Sequence, residues 1–388
     1  MDFALPKPHQ LFRKMVQEFA AQEVAPRARQ IDRQGWPDMD LVRKLGENGL
    51  LGVPFPQEYG GAGLGELGYC LLMEAMGAVC TSTTATIGAH IGIGVMAIYL
   101  GGNEEQKRRF LPDLCAGRKL AAFCLTEPNA GSDAAAIQTR AIRDGNRWIL
   151  SGSKIYITNG PIADVLTVLA VSDPTLGARG GVTAFIVEKG MPGLSVGTIE
   201  HKMGIRGSAT SEIILDEVAV PSANVLGPVG AGFVTFMQTL DTGRLGLGAA
   251  CVGGASAALD MMCRYAAGRV QFGQPIADKQ LIQWLIADTA TEIEALRSLV
   301  YRTAWMVDTH QPYTREAAMC KLYGSEVASR AINRALQVYG GLGYSRDFPL
   351  ERMWRDARIA EIFEGTNEIQ RIVIAEQVLR PYGVRVRP

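Results

Sequence analysis

The sequence predicts a mostly helical α+β protein in three parts: an N-terminal helical domain over 1–120, a central antiparallel β-barrel or sandwich over 121–226, and a C-terminal four-helix bundle over 227–388. Three observations predict it. Apolar residues recur at helical spacing up to about residue 120. β-Branched runs bounded by Gly, Pro and Asn turns then fill the stretch to residue 226. Four long helical blocks with short connections close the chain. With 388 residues, 47% of them apolar, the chain can bury such cores without disulfide support.

In the N-terminal part the spacing predicts helices over 10–30, 39–48, 67–79, 84–100 and 104–116, separated by Pro54-Phe55-Pro56, Gly60-Gly61-Ala62-Gly63 and similar breaks. In the middle part, strands are expected over 148–158, 165–171, 182–187 and 212–220, the first following the turn signal Asp144-Gly145-Asn146. No helical pattern separates them, which argues against a nucleotide-binding βαβ sheet. In the last part helices are expected over 233–268, with a possible break near Gly243, then over 279–310, 314–339 and 350–379, the last block with a break between two helices at Gly365, where Asn367 suits an N-cap with Gln370 at N3.

Composition excludes several classes. Lys+Arg and Asp+Glu stand at 39 each, so no overall charge draws the chain to nucleic acid or an anionic membrane. Seven cysteines without a Cys-x-x-Cys spacing read as reduced thiols and a cytoplasmic location. Four scattered histidines offer no metal pair, so no metal is expected. The N-terminus lacks a signal-peptide pattern. From Ala75 to Asn103 no residue is charged, a length that could span a bilayer, but Thr81, Ser82, Thr83, Thr84, Thr86 and His90 lie within it. A buried helical pair lining a cavity, without stable membrane insertion, is the expectation. Gly92-x-Gly94-x-x-Ala97 fits a dinucleotide fingerprint on paper, yet it follows no strand and reads as close helix packing.

Thr126-Glu127-Pro128-x-Ala130-Gly131-Ser132-Asp133 crowds polar groups into a loop at the helix-to-strand transition. Later come Arg269-Val270-Gln271-Phe272-Gly273, then Gln337-x-x-Gly340-Gly341-x-Gly343-Tyr344. Arg355-Asp356-x-Arg358-Ile359 leads on to Phe363-Glu364-Gly365-Thr366-Asn367-Glu368-Ile369-Gln370. In this order, over essentially the whole chain, these segments resemble the acyl-CoA dehydrogenase family. The core is similar to its very-long-chain and short-chain members, without the C-terminal extension of the former.

The resemblance implies FAD between the β domain and the bundle, with the acyl chain against the flavin. The backbone from Phe123 through Leu125 to Thr126, the Thr126 side chain, and Tyr156 and Thr158 match flavin-contacting positions. Many relatives carry Trp where Tyr156 stands. Ser132 matches a position near the thioester arm. Arg269, Gln271, Phe272, Gln337, Gly340 and Gly341 match positions reaching the FAD of a neighbouring subunit, and Thr366 and Glu368 belong to the last FAD-binding segment. A homotetramer is thereby implied, with an electron-transferring flavoprotein as acceptor.

Glu364 matches the catalytic base. Removing an α-proton while a β-hydride leaves to flavin N5 needs a carboxylate facing the flavin across the substrate. The resemblance also implies that the Glu364 N–H and a flavin ribityl hydroxyl stabilise the enolate oxygen. Some branches carry the base just before the arginine of Leu240-Asp241-Thr242-Gly243-Arg244, where this chain has Gly243. Asp241, Arg244 and Gly365 match substrate-side positions, and Gly88 and Gly92 are expected to line the acyl pocket. The Gly88-Ala89-His90 stretch and the 121–230 region are similar to very-long-chain members, which implies a medium-to-long, or a bulky cyclic or branched, acyl-CoA. The alternatives are a flavin oxidase or monooxygenase on the same fold, or a non-catalytic DNA-associated fold relative.

Overall fold

A computed structural model describes residues 4–384 and 386. Helix α1 (Lys7–Phe19) continues through a π turn (Ala20–Val24) and a 3₁₀ turn (Ala25–Arg27) into α2 (Ala28–Gln34). Pro26, which lacks an N–H, falls where the winding changes. Asp38 caps α3 (Met39–Glu47) by accepting from the Leu41 N–H at 3.1 Å. Helix α4 (Gly65–Gly77) starts on a carboxylate from the far end of the chain: Asp308 accepts from the N–H groups of Glu66 and Leu67.

Next, α5 (Thr81–Gly88) runs through a π-helical stretch (Ala89–Val95) into α6 (Met96–Gly101). This is the uncharged segment, and 67% of its most apolar window is buried inside the protein. Its hydroxyls bond locally, Thr84 to the Cys80 carbonyl and Thr86 to that of Ser82. Gly94 lies against Ala121, so close packing explains the G-x-G-x-x-A pattern. Helix α7 (Glu104–Cys115) opens on a reciprocal capping box between Asn103 and Gln106.

The strands are β1 (Ala121–Cys124), β2 (Arg140–Asp144), β3 (Arg147–Thr158), β4 (Val165–Val171), β5 (Val182–Glu188), β6 (Leu194–Ile199), β7 (Thr210–Pro221) and β8 (Val225–Leu226). They form one sheet ordered β6-β7-β3-β2-β4-β5-β8, with β1 added alongside β4. Most pairings are antiparallel, as expected, but β1 and β2 both pair with β4 in parallel. A short helix α8 (Ala178–Gly181) interrupts the strands.

The bundle is built from α9 (Gly232–Gly268), α10 (Gln280–Asp308) and α11 (Thr314–Tyr339), with a β9–β10 hairpin (Val270–Gln271, Gln274–Pro275) between the first two. No break occurs at Gly243; α9 passes through it. The block over 350–379 is divided, as Gly365 indicates. After a short α12 (Gly341–Tyr344) come α13 (Leu350–Ala357), a 3₁₀ turn (Arg358–Glu361), an irregular stretch, and α14 (Asn367–Leu379). Thr366, not Asn367, caps α14, accepting from the Ile369 N–H. Asn367 is turned inward, bonding Lys321 and Ser325.

Candidate active site

Glu364 lies in the break between α13 and α14. Its backbone is left-handed (φ +56°), and Gly365 follows at φ +86°. A non-glycine residue in this region is costly and persists only where surrounding contacts impose it, whereas Gly365 adopts it freely. Here Arg244 Nε donates to the Glu364 carbonyl at 3.3 Å, and Gln370 Nε2 donates to the carbonyls of Glu364 (3.2 Å) and Gly365 (2.9 Å). A Cβ at position 365 would lie 2.8 Å from Gln370 Nε2, so glycine is required there on both counts.

The residue is half-buried as a whole, yet its carboxylate Oε2 is shut off from solvent with no hydrogen-bond partner among the described residues. That oxygen points at α9: a Cβ added to Gly243 would stand 2.5 Å from it. Burial raises the Glu364 pKa to about 7, while the Arg244 and Lys321 cations pull it back down. Arg244 is itself held by Asp241, Nη1 to Oδ1 at 2.8 Å, and Asp241 accepts from Thr314 at 2.7 Å. Burial likewise lowers Lys321 to about 8, and its Nζ donates to Asn367 Oδ1.

Glu364, Gly365, Asp241 and Arg244 are therefore brought together. Asp241 and Arg244 also form an ion pair.

The flavin-side residues form a second group. Thr126 O accepts from the Ile155 N–H at 2.9 Å, tying the end of β1 to β3. Buried Lys154 donates to the Leu125 carbonyl and to Glu127 (2.7 Å), which in turn accepts from the Gln138 and Thr139 N–H groups. Register in the β3–β7 ladder slips between Lys154 and Ile157, and Tyr156 sits in that bulge at φ +57°, 62% exposed. Phe123 and Leu125 are buried, Phe123 stacked on Phe236 at 4.2 Å, so neither side chain is open to a ligand. Thr126 and Thr158 are half-buried, and Ser132 is exposed. An aromatic wall beside hydroxyls and strand-end backbone suits a planar, heteroatom-rich ring such as a flavin.

Arg269, Gln271, Phe272, Gln337, Gly340 and Gly341 lie elsewhere. All are exposed, and Arg269, Gln271, Gly340 and Gly341 line an open groove of about 470 Å³. The groove sits at the far end of α9 from Gly243. Gly243 and Arg269 are 26 residues apart along that helix, about 39 Å at ~1.5 Å per residue. A guanidinium and paired glycines there suit a pyrophosphate. Thr366 is taken up by capping α14, and Glu368 is exposed in its first turn.

The sequence missed Tyr69. Gly88 and Gly92, expected to line the acyl pocket, lie against α4, and the space beside them holds this buried ring. Among the described residues no group of three metal-ligating side chains occurs, and all seven cysteines are free.

Known proteins resemble the chain along its whole length. Residues 6–118 match the acyl-CoA dehydrogenase N-terminal domain, 122–218 its middle domain and 230–379 its C-terminal domain. A short-chain-specific acyl-CoA dehydrogenase of Clostridium acetobutylicum is 43% identical, over 98% of this chain and 100% of its own. The structure of butyryl-CoA dehydrogenase from Megasphaera elsdenii superposes with a TM-score of 0.95 at 41% identity, covering 98% and 100%. A chain solved in work on the electron transferring flavoprotein of Acidaminococcus fermentans superposes at 0.96 with 44% identity, again covering 98% and 100%. The two relatives just named whose names give a chain length are short-chain enzymes, against the medium-to-long or bulky acyl group expected from the similarity to very-long-chain members. With an unpartnered carboxylate at Glu364 and this match over all three domains, the chain belongs to the acyl-CoA dehydrogenase family, and its reaction is the dehydrogenation of an acyl-CoA.

Proposed function

We propose that the protein oxidises a short-chain acyl-CoA to the 2-enoyl-CoA, with Glu364 as the base that takes the α-proton. The observation that carries this reading is the buried, unpartnered Oε2 of Glu364, aimed over Gly243 with a pKa near neutrality. A carboxylate so placed is half-ionised near pH 7 and ready to accept a proton. Arg244 and Gln370 fix its main chain, and Ile93 packs on the Gly243 face beside the carboxylate, an apolar neighbour where water would otherwise reach. FAD, when bound, supplies the hydride acceptor. The ends of β1 and β3, with Thr126, Tyr156 and Thr158, would hold its ring.

The groove at Arg269, Gln271, Gly340 and Gly341 stands too far along α9 to serve the same cofactor. It would therefore close on the FAD of a second copy, which supports a homotetramer whose cofactor site is shared. An electron-transferring flavoprotein is the proposed acceptor, in keeping with the relative solved in that context. Seven unpaired thiols suit a reducing cytoplasm.

Anaerobic titration of the holoprotein with acyl-CoAs of graded length tests this reading. Bleaching of the flavin band should be fastest with the short thioesters and should transfer on to added electron-transferring flavoprotein. Absence of bleaching with every acyl-CoA would overturn it.

A further inference from the structure

We propose that Tyr69 is the residue that limits acyl-chain length, its ring forming the floor of the pocket that Glu364 serves. The proposal rests on the acyl-CoA reading above and deepens it.

Three glycines from two helical segments open a space, and Tyr69 fills it. Tyr69 and Met73 lie on one face of α4, four residues apart, and both are buried. A Cβ at Gly246 would lie 2.5 Å from Tyr69 Cε1 and 2.7 Å from its hydroxyl. One at Gly92 would collide with the hydroxyl, and one at Gly88 would stand 3.8 Å from it and 3.0 Å from Met73 Cε. These glycines are therefore small because the tyrosine needs their room, not because a long chain does. No protein group among the described residues bonds the hydroxyl, so nothing but packing fixes the ring there.

The floor is also close to the base. The Cβ position at Gly92 lies 3.6 Å from the Gly243 Cα, and that at Gly243 lies 2.5 Å from Glu364 Oε2. With a carbon–carbon bond of about 1.5 Å, these contacts put the Tyr69 hydroxyl within about 10 Å of the carboxylate oxygen. Proton abstraction takes about 3 Å of that at one end, and van der Waals contact takes about 3.5 Å at the other. What is left admits at most about two carbons beyond the α-carbon, so nothing longer than a four-carbon acyl group. Shortening the side chain at position 69 would extend the pocket between Gly88, Gly92 and Gly246.

The test compares anaerobic flavin reduction by butyryl-CoA and octanoyl-CoA in the holoenzyme and its variants. Tyr69→Ala should raise the octanoyl-to-butyryl ratio of kcat/KM about tenfold or more. Tyr69→Phe, which keeps the ring, should leave that ratio within about twofold of wild type. Tyr69→Leu carries the same expectation as Ala in smaller measure, should the alanine variant fail to hold FAD. A Tyr69→Ala or Tyr69→Leu enzyme still bleached by butyryl-CoA but with an unchanged ratio would overturn the proposal. So would a Phe variant that shifts as far as Ala. Wild-type enzyme bleached by neither thioester would instead overturn the acyl-CoA reading, and the role of Tyr69 with it.

Discussion

Glu364 occupies the space that a side chain at Gly243 would need. The carboxylate Oε2 stands 2.5 Å from the Cβ position of residue 243, with Ile93 Cγ2 at 2.7 Å on another side. Two helices thus offer alternative origins for a carboxylate at one point, and the chain fills it from the α13–α14 break. That explains why α9 carries glycine in mid-helix despite a cost of about 1 kcal/mol.

Gly243→Ala should displace the carboxylate while leaving the flavin loop untouched. FAD content should stay near wild type, and the rate of flavin reduction by butyryl-CoA should fall about 10- to 100-fold. The double variant Gly243→Glu with Glu364→Gly should recover part of that rate, since it delivers a carboxylate to the same place. Stopped-flow reduction of the three proteins checks both statements.

Activity should rise with pH through about 7, because the base must lose its proton and burial holds its pKa there. Lys321 opposes that rise in pKa. Removing the cation in Lys321→Met should therefore move the midpoint of the kcat/KM profile to higher pH, by about one unit. A profile that stays put or moves to lower pH would separate Lys321 from the base.

Glu66 has a different pH signature. It is buried on α4, its Oε1 has no partner, and burial with the nearby Asp308 charge raises its pKa to about 8. A carboxyl that is easier to protonate in the folded than in the unfolded state costs stability as pH rises. The loss runs from about pH 4.5 to about 8 and reaches at most about 5 kcal/mol. Glu66→Gln should flatten this part of the curve, raising the melting temperature at pH 8 more than at pH 5. Thermal unfolding at the two pH values measures the difference.

What the sequence disclosed, and what it hid, follows from locality. The strand over 165–171 and the helix over 314–339 were legible to their ends, because β-branched runs and helical spacing are carried by neighbours in the chain. β1 was not: four residues of Ala-Ala-Phe-Cys, buried throughout, show no alternation, and the parallel partner β4 lies forty residues on. β6 is an exposed edge strand with Gly197 inside it. In the 350–379 block Gly365 and the polar residues after it signalled the break, but local sequence did not show that Thr366 rather than Asn367 caps α14, because Asn367 is drawn inward by Lys321 and Ser325 from another helix. At the site, Glu364 was readable from its motif. The pocket depth was not, because glycines on one helix say nothing about an aromatic ring arriving from another.

The account turns on Glu364 being the base, and the rate of anaerobic flavin reduction by butyryl-CoA in Glu364→Gln holoenzyme tests that most directly. The variant should bind FAD as wild type does and be reduced about 10²- to 10⁴-fold more slowly. Full FAD occupancy with reduction within about tenfold of the wild-type rate would contradict it.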